Sequence, residues 1–181
     1  MNNQVYPDDA WARAGRVRLL ILDVDGVLTD GRLYFGPKEE LCKVFHVRDG
    51  HGVKMLQQAG IEVAFVSGRR SDAAFRRAKE LGVHRYHEGV RDKAAVLEEL
   101  CRALSLTPDQ VGAVGDELVD LPLFHRVGLA VAVADAPPEV QAAAHWVTTL
   151  PGGRGAVREV TDLILKAAGR WEELVRPWSE I

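Results

Sequence analysis

The strongest constraint on the fold is a run of four aliphatic residues, Leu19-Leu20-Ile21-Leu22, that leads directly into Asp23, Asp25 and Gly26. Such a run is typical of a central strand that is buried on both faces of a sheet. An ionised carboxylate at the end of that strand is costly unless it is paired or holds a metal ion. Because ligands bind at the carboxyl ends of strands in open α/β sheets, the two aspartates predict a functional site there.

Strand and helix patterns alternate along the rest of the chain. Strands are predicted over residues 17–24, 61–66, 83–86, 111–114, 129–133 and 145–148, and helices over 50–59, 71–81, 92–104, 118–127, 138–144 and 156–168. This order predicts an α/β fold with a doubly wound, mostly parallel, Rossmann-like sheet. We predict a single domain over residues 17–168, preceded by an irregular extension (1–16) anchored only by Trp11 and followed by a C-terminal tail (169–181).

A β-rich segment follows the acidic motif directly. Residues 32–35 and 41–46 alternate in polarity and flank a turn at residues 36–39, so we expect a hairpin inserted over about residues 32–46. The hairpin would expose Leu33, Tyr34, Phe35 and Phe45 unless it meets another surface.

The composition is that of an ordinary globular protein, with 47% hydrophobic and 27% charged residues. A formal net charge of −3 gives no electrostatic footprint for nucleic acid or an anionic membrane. The longest uncharged apolar run, residues 127–134, is far shorter than the roughly 18 residues of a membrane span. With no secretory signal at the N-terminus, we expect a cytoplasmic protein without nucleic-acid or membrane partners. Cys42 and Cys101 form no CxxC pattern and predict reduced structural thiols.

Polar residues follow several predicted strands and should meet at one edge of the sheet. They are Asp23, Asp25, Ser67, Asp116 and Glu117, with Asp120 and Lys93 nearby. An oxygen-rich set without cysteine or paired histidines suits a hard cation such as Mg²⁺ and not structural zinc. Mg²⁺ held by one or two carboxylates usually keeps coordination positions for phosphate oxygens, so a phosphoryl group is the expected ligand. The motifs of nucleotide-binding loops, zinc peptidases and esterases are absent from the sequence.

Four segments resemble, in order, the four motifs of the haloacid dehalogenase (HAD) superfamily of phosphohydrolases. They are residues 23–30 (DVDGVLTD), residues 66–69 (VSGR), Lys93 and residues 115–120 (GDELVD). Residues 45–52, 130–136 and 152–159 are similar to the small branch typified by 3-deoxy-D-manno-octulosonate 8-phosphate phosphatase. The resemblance covers about residues 17–168 and implies a HAD-type fold with an inserted hairpin and no cap domain.

The resemblance also implies a Mg²⁺-dependent phosphomonoesterase that works through an aspartyl-phosphate. Asp23 would attack phosphorus, and Asp25 would protonate the leaving sugar oxygen and then deprotonate water. Asp23, the backbone carbonyl of Asp25 and Asp116 would hold the metal. The remaining roles are phosphate binding by Ser67, Gly68 and Lys93, orientation of Lys93 or a metal-bound water by Asp120, and support from Glu117, where many relatives carry a second aspartate.

The substrate implied by the resemblance is 3-deoxy-D-manno-octulosonate 8-phosphate, a precursor in lipopolysaccharide synthesis. Two alternatives remain open: a phosphatase of a nine-carbon sialic-type acid 9-phosphate, and a non-catalytic regulatory subunit with the same fold. Arg48, Arg69 and Arg154 are candidate contacts for a substrate carboxylate. His46 and His51 stand where relatives often carry other polar or aromatic residues.

Phosphoryl transfer benefits from excluding water, yet the chain has no residues for a separate cap domain. The branch that it resembles forms homotetramers in which hairpins help to build the neighbouring active site. The same assembly is therefore expected here.

Overall fold

The computed structural model describes residues 6–37 and 40–179. In chain order the strands are β1 (Leu19–Leu22), β2 (Tyr34–Phe35), β3 (Glu40–Cys42), β4 (Glu62–Val66), β5 (Arg85–His87), β6 (Val111–Gly115), β7 (Leu129–Ala132) and β8 (Trp146–Val147). The helices are α1 (Asp8–Ala14), α2 (Val47–Gln58), α3 (Asp72–Leu81), α4 (Lys93–Leu104), α5 (Leu121–Phe124), α6 (Pro138–Ala143), α7 (Ala156–Ala167) and α8 (Trp171–Ser179).

The main sheet is parallel throughout its described strands, in the order β5-β4-β1-β6-β7-β8. Strand β1 lies at its centre, and its four side chains are essentially inaccessible to solvent. The chain first winds outward through β4 and β5 and then returns to the other side of β1 through β6, β7 and β8. Right-handed crossovers accordingly place α2 and α3 on one face and α4, α5 and α6 on the other, with α7 returning to pack on α2. The predicted doubly wound fold is confirmed.

Two predicted helix starts are confirmed by side-chain caps. Ser71 Oγ accepts a hydrogen bond from Ala74 N at 3.3 Å at the start of α3. Asp92 accepts from Ala94 N at 2.9 Å and from Ala95 N at 3.2 Å at the start of α4. These caps satisfy backbone donors that the first turn of a helix leaves without partners. The second cap matters for function because it fixes the first residue of α4, which is Lys93.

The helix predicted over residues 118–127 is wrong in extent. A short 3₁₀ turn covers Leu118–Asp120, and α5 then spans only Leu121–Phe124. The Asp120 carboxylate turns back to accept hydrogen bonds from the backbone N–H groups of Asp116 and Glu117, and such bonds compete with a regular helix. The helix predicted over residues 50–59 instead begins three residues earlier, at Val47.

The hairpin is present but shorter than predicted. Strands β2 and β3 pair antiparallel with an irregular register, and residues 43–46 are not part of a strand. Lys38 and Glu39 of the expected turn lie outside the described residues. The apolar side chains of Tyr34, Phe35 and Val44 are exposed, Phe35 by 63%.

Within the described residues, from Tyr6 onward, the expectation of an irregular N-terminal segment is also wrong, while residues 1–5 of that segment lie outside them. Helix α1 packs on α7, its Ala10 and Ala14 are fully buried, and Tyr6 joins the core, whereas Trp11 is 41% exposed. Small residues at two successive helical turns allow this close packing, a pattern that the polar composition of the segment concealed. At the other end, the predicted tail forms α8 as far as Ser179. Among the described helices, none is long and apolar enough to cross a membrane.

The loop after β8 packs directly on the acidic loop after β1. Asp25 (φ −82°, ψ 114°) and Gly26 (φ 93°, ψ −13°) form a turn close to type II, which needs glycine at its second position. Gly153 N donates to Val27 O at 2.9 Å, and a Cβ atom on Gly153 would overlap the backbone of Thr29 and Asp30. The glycines after β8 therefore serve the close approach of two backbones.

Replacing Gly153 by alanine tests this contact, with Gly60 as the matched control. Both glycines have positive φ angles, of 65° and 77°, but a Cβ atom on Gly60 would meet no atom within 4 Å. Both substitutions incur the left-handed backbone strain of about 1 to 2 kcal/mol. We expect G153A to lower the free energy of unfolding by about 1 to 3 kcal/mol more than G60A, because it also overpacks the loop. Urea unfolding at one protein concentration measures the difference, and equal losses would contradict the packing described.

Candidate active site

The carboxyl ends of the three central strands bring the predicted site residues to one edge of the sheet. In the parallel register, Leu22 of β1 lies opposite Phe65 of β4 and Val114 of β6. Asp23, Ser67 and Asp116 follow these strand ends within two residues. The parallel register therefore brings these residues to one edge of the sheet, as predicted.

Lys93 is the centre of a buried ionic network. Its Nζ lies 2.5 Å from Asp23 Oδ1 and 2.5 Å from Asp120 Oδ1. Lys93 is 5% exposed, Asp23 8% and Asp120 1%, so the network is largely withdrawn from water. Burial alone lowers the pKa of Lys93, but the charges and hydrogen bonds of the two aspartates outweigh it and hold the pKa above its ordinary value. Lys93 is thus a fixed ammonium that orients Asp23.

Asp120 is itself held by the strand end that carries Asp116. Its Oδ2 accepts hydrogen bonds from Asp116 N at 3.1 Å and from Glu117 N at 3.3 Å. A Cβ atom on Gly115 would overlap the Asp120 carboxylate, which explains glycine at the end of β6. The Glu117 side chain points elsewhere, since its Oε1 accepts from Leu118 N at 2.7 Å on an exposed turn.

Two carboxyl groups in the pocket carry raised pKa values. Burial is the main cause for Asp23, whose pKa rises to about 7 against the opposing charge of Lys93. Burial, followed by the charges of Asp23 and Asp120, raises the pKa of Asp116 to about 8. Burial raises both pKa values first, and the charges of the neighbouring carboxylates add to the shift while Lys93 opposes it. A pocket of this kind fits a divalent cation.

The available oxygen atoms suit a hard cation. In the part of the chain that the structure describes, no three His, Cys, Asp or Glu side chains are grouped as metal ligands. Two carboxylates with a backbone carbonyl nevertheless match the sparse protein ligation that Mg²⁺ accepts, because the remaining positions go to water and substrate oxygens. A Cβ atom on Gly26 would overlap the Asp116 carboxylate, so this glycine allows the acidic loop to approach Asp116.

Asp25 has a partner that the sequence did not predict. Lys43, just after β3, donates a hydrogen bond to Asp25 Oδ1, and its side chain is only 1% exposed. Asp25 Oδ2 is buried and accepts no hydrogen bond from the described residues, although Arg69 Nε lies 4.0 Å away. The signal in the sequence was a lysine within an otherwise apolar strand ending, Leu41-Cys42-Lys43-Val44.

The predicted phosphate-binding residues occupy the loop between β4 and α3. Ser67 is 3% exposed, and its Oγ accepts a hydrogen bond from Arg69 N at 3.1 Å. Gly68 is exposed, and a Cβ atom there would be in ordinary contact with Val90 O at 3.5 Å. The loop lies at the same edge as Asp23, because β4 and β1 end side by side. Phosphate binding by Ser67 and Gly68 stays a prediction.

The three candidate arginines are placed differently. Arg69 reaches Asp25, whereas Arg48 and Arg154 are exposed on neighbouring segments. Those segments are joined by the buried Asp49, which accepts hydrogen bonds from Gly155 N at 3.3 Å and Arg158 N at 2.8 Å. Sequence reasoning missed Asp49, because a single aspartate in a first helical turn gives no distinct signal.

Comparison with known proteins identifies relatives that share most of the chain. A model of the haloacid dehalogenase-like hydrolases matches residues 86–157. The 3-deoxy-D-manno-octulosonate 8-phosphate phosphatase KdsC of Yersinia pestis is 48% identical over 165 residues, 91% of this chain and 88% of that protein.

Solved structures of related proteins share the fold of this chain. The Yersinia pestis phosphatase gives a TM-score of 0.89 at 48% identity and covers 91% of this chain and 89% of its own. The Moraxella catarrhalis phosphatase, in complex with magnesium, phosphate and KDO, gives 0.92 at 34% identity and covers 96% and 100%. Because identity and coverage are both high, the chain belongs to the 3-deoxy-D-manno-octulosonate 8-phosphate phosphatase family of haloacid dehalogenase-like hydrolases.

Proposed function

We propose that the protein hydrolyses 3-deoxy-D-manno-octulosonate 8-phosphate to the free sugar acid and phosphate with Mg²⁺. The observation that carries this proposal is the buried network in which Lys93 orients Asp23, two residues before Asp25. A relative named for this activity is 48% identical, and one related structure contains magnesium, phosphate and KDO.

In the first step Asp23 is the nucleophile. Lys93 holds Oδ1, which fixes the orientation of the carboxylate towards the open edge of the sheet. A carboxylate oxygen forms a bond to phosphorus while the bond between phosphorus and the sugar oxygen breaks. Asp25 donates its proton to that leaving oxygen, because an alkoxide is a poor leaving group.

In the second step the roles of Asp25 reverse. As a carboxylate it takes a proton from water, whose oxygen bonds to phosphorus while the bond to Asp23 breaks. Phosphate leaves, and Asp23 is regenerated as a carboxylate with Asp25 protonated. The two aspartates therefore need fixed and different orientations, and the contact of Asp23 with Lys93 supports this for the nucleophile.

Asp23, Asp116 and the backbone carbonyl of Asp25 would hold Mg²⁺. When bound, the ion offsets the negative charge of the carboxylates and of the phosphoryl oxygens. Lys93, Ser67 and Gly68 bind the phosphoryl oxygens, while Asp120 positions Lys93. Arg69, at the mouth of the site, contacts the acidic sugar, and Arg48 and Arg154 are secondary candidates for its carboxylate.

A panel of sugar-acid phosphates tests the reaction and the substrate together. Phosphate release should require Mg²⁺, stop with chelator and fall by at least about a thousandfold in D23N, because removing a covalent nucleophile abolishes its step. The octulosonate 8-phosphate should give the highest kcat/KM. Equal activity of D23N and wild type would contradict the mechanism, and preference for a nine-carbon acid 9-phosphate would contradict the substrate.

We further propose a homotetramer in which the hairpins of neighbouring subunits cover the active sites. The hairpin and the residues that follow it expose several large apolar side chains by 39% to 80%, namely Leu33, Tyr34, Phe35, Val44 and Val47, and such exposure is typical of an interaction surface. Burial of this surface between subunits would also exclude water from the pocket.

Sedimentation velocity at micromolar concentration tests the assembly. We expect a tetramer for the wild type and smaller species for Phe35→Asp, because a charge at the most exposed phenylalanine of the hairpin would be buried without a partner. A wild-type protein that sediments as a stable monomer would contradict this proposal.

A further inference from the structure

We infer that Lys43 is a positioning residue for Asp25: its ammonium, supplied by the hairpin, holds one carboxylate oxygen so that the other faces the leaving group. This inference rests on the proposed phosphatase function and names a residue that the function itself did not require.

The first support is the burial of a lysine in an otherwise exposed segment. The Lys43 side chain is 1% exposed, whereas its neighbour Val44 is 59% exposed. Lysine is rarely buried unless it is paired, and here the ammonium is turned inward to Asp25 Oδ1. The hairpin therefore presents its charge to the site and its apolar residues to the outside, the reverse of an ordinary solvated hairpin.

The second support is the state of the other carboxylate oxygen. Asp25 Oδ2 is buried, and no group among the described residues donates a hydrogen bond to it. A buried acceptor without a partner calls for an explanation. With Oδ1 held by Lys43, Oδ2 is directed towards Arg69, on the loop that carries Ser67 and Gly68. A leaving oxygen bound beside that loop would supply the missing partner.

The chemistry makes this arrangement testable. With an alkyl phosphate, both steps depend on Asp25, as proton donor to the sugar oxygen and then as acceptor from water. With 4-nitrophenyl phosphate, nitrophenolate leaves without a proton, so only the second step depends on Asp25. Loss of a residue that orients Asp25 should therefore slow hydrolysis of the aspartyl-phosphate and leave its formation from the aryl ester almost unchanged.

Lys43→Met in the full-length, Mg²⁺-loaded protein tests this separation. We expect kcat for the octulosonate phosphate, and steady-state turnover of 4-nitrophenyl phosphate, to fall by about 10- to 100-fold with KM changed by less than about threefold. The rate of the pre-steady-state nitrophenolate burst should stay within about threefold of wild type, and acid-quenched phosphoenzyme should accumulate. Lys54→Met, the same change at an exposed lysine of α2, is the matched control and should alter none of these values.

A burst that slows as much as the steady state would overturn the inference, because it would indicate general damage to the site. Unchanged steady-state turnover in K43M would overturn it as well. If K43M does not fold, K43Q measured in the same way gives the same two alternatives. Wild-type protein that hydrolyses 4-nitrophenyl phosphate and not the octulosonate phosphate would contradict the proposed substrate, while the burst comparison would still decide the role of Lys43.

Discussion

The buried ammonium of Lys93, shared by two buried carboxylates, fixes the relative positions of the strand ends that carry the site residues. Lys93 contacts Asp23 and Asp120, and Asp120 in turn accepts hydrogen bonds from the backbone beyond β6. Removing one partner from a buried ion pair typically costs about 3 to 5 kcal/mol, because the other charge stays buried. The position of Asp23 is thereby tied to the start of α4 and to the end of β6, and none of these elements can shift alone.

The carboxylates of Asp23, Asp116 and Asp120 outnumber the single ammonium of Lys93, so the ionised network carries a net negative charge. Asp23 and Asp116 have pKa values raised to about 7 and 8, chiefly by burial. Because the folded protein binds these protons more tightly than the unfolded chain does, the free energy of unfolding falls as the pH rises from the ordinary carboxyl pKa through these raised values. A bound cation would compensate the charge and offset this loss. A divalent cation supplies that compensation together with a binding position for a phosphoryl group. The hairpin meets the same pocket from the other side, where Lys43 pairs with Asp25.

Much of this arrangement could be predicted from the sequence, because burial and strand order leave few alternatives. The four aliphatic residues before Asp23 identified the central strand, and parallel winding then placed Asp116 beside it. What could not be predicted depends on contacts between distant segments. Lys43 reaches Asp25 only because the hairpin folds back, and Asp49 reaches Gly155 across 106 residues. Tertiary hydrogen bonds of Asp120 shortened a helix that local periodicity extended, and packing on α7 ordered an N-terminal segment whose composition is polar.

Asp116 and Asp23 are the carboxylates proposed to hold the metal, whereas the side chain of Glu117, which accepts a hydrogen bond from Leu118 N, is not a proposed ligand. Calorimetric titration of Mg²⁺ into wild type, D116N and E117Q tests it directly. D116N is expected to weaken Mg²⁺ binding by at least about tenfold, because loss of a direct metal ligand should cost at least as much affinity as loss of a group that only orients a ligand. E117Q is expected to bind Mg²⁺ within about twofold of wild type. Wild-type affinity in D116N, or an equal loss in E117Q, would contradict it.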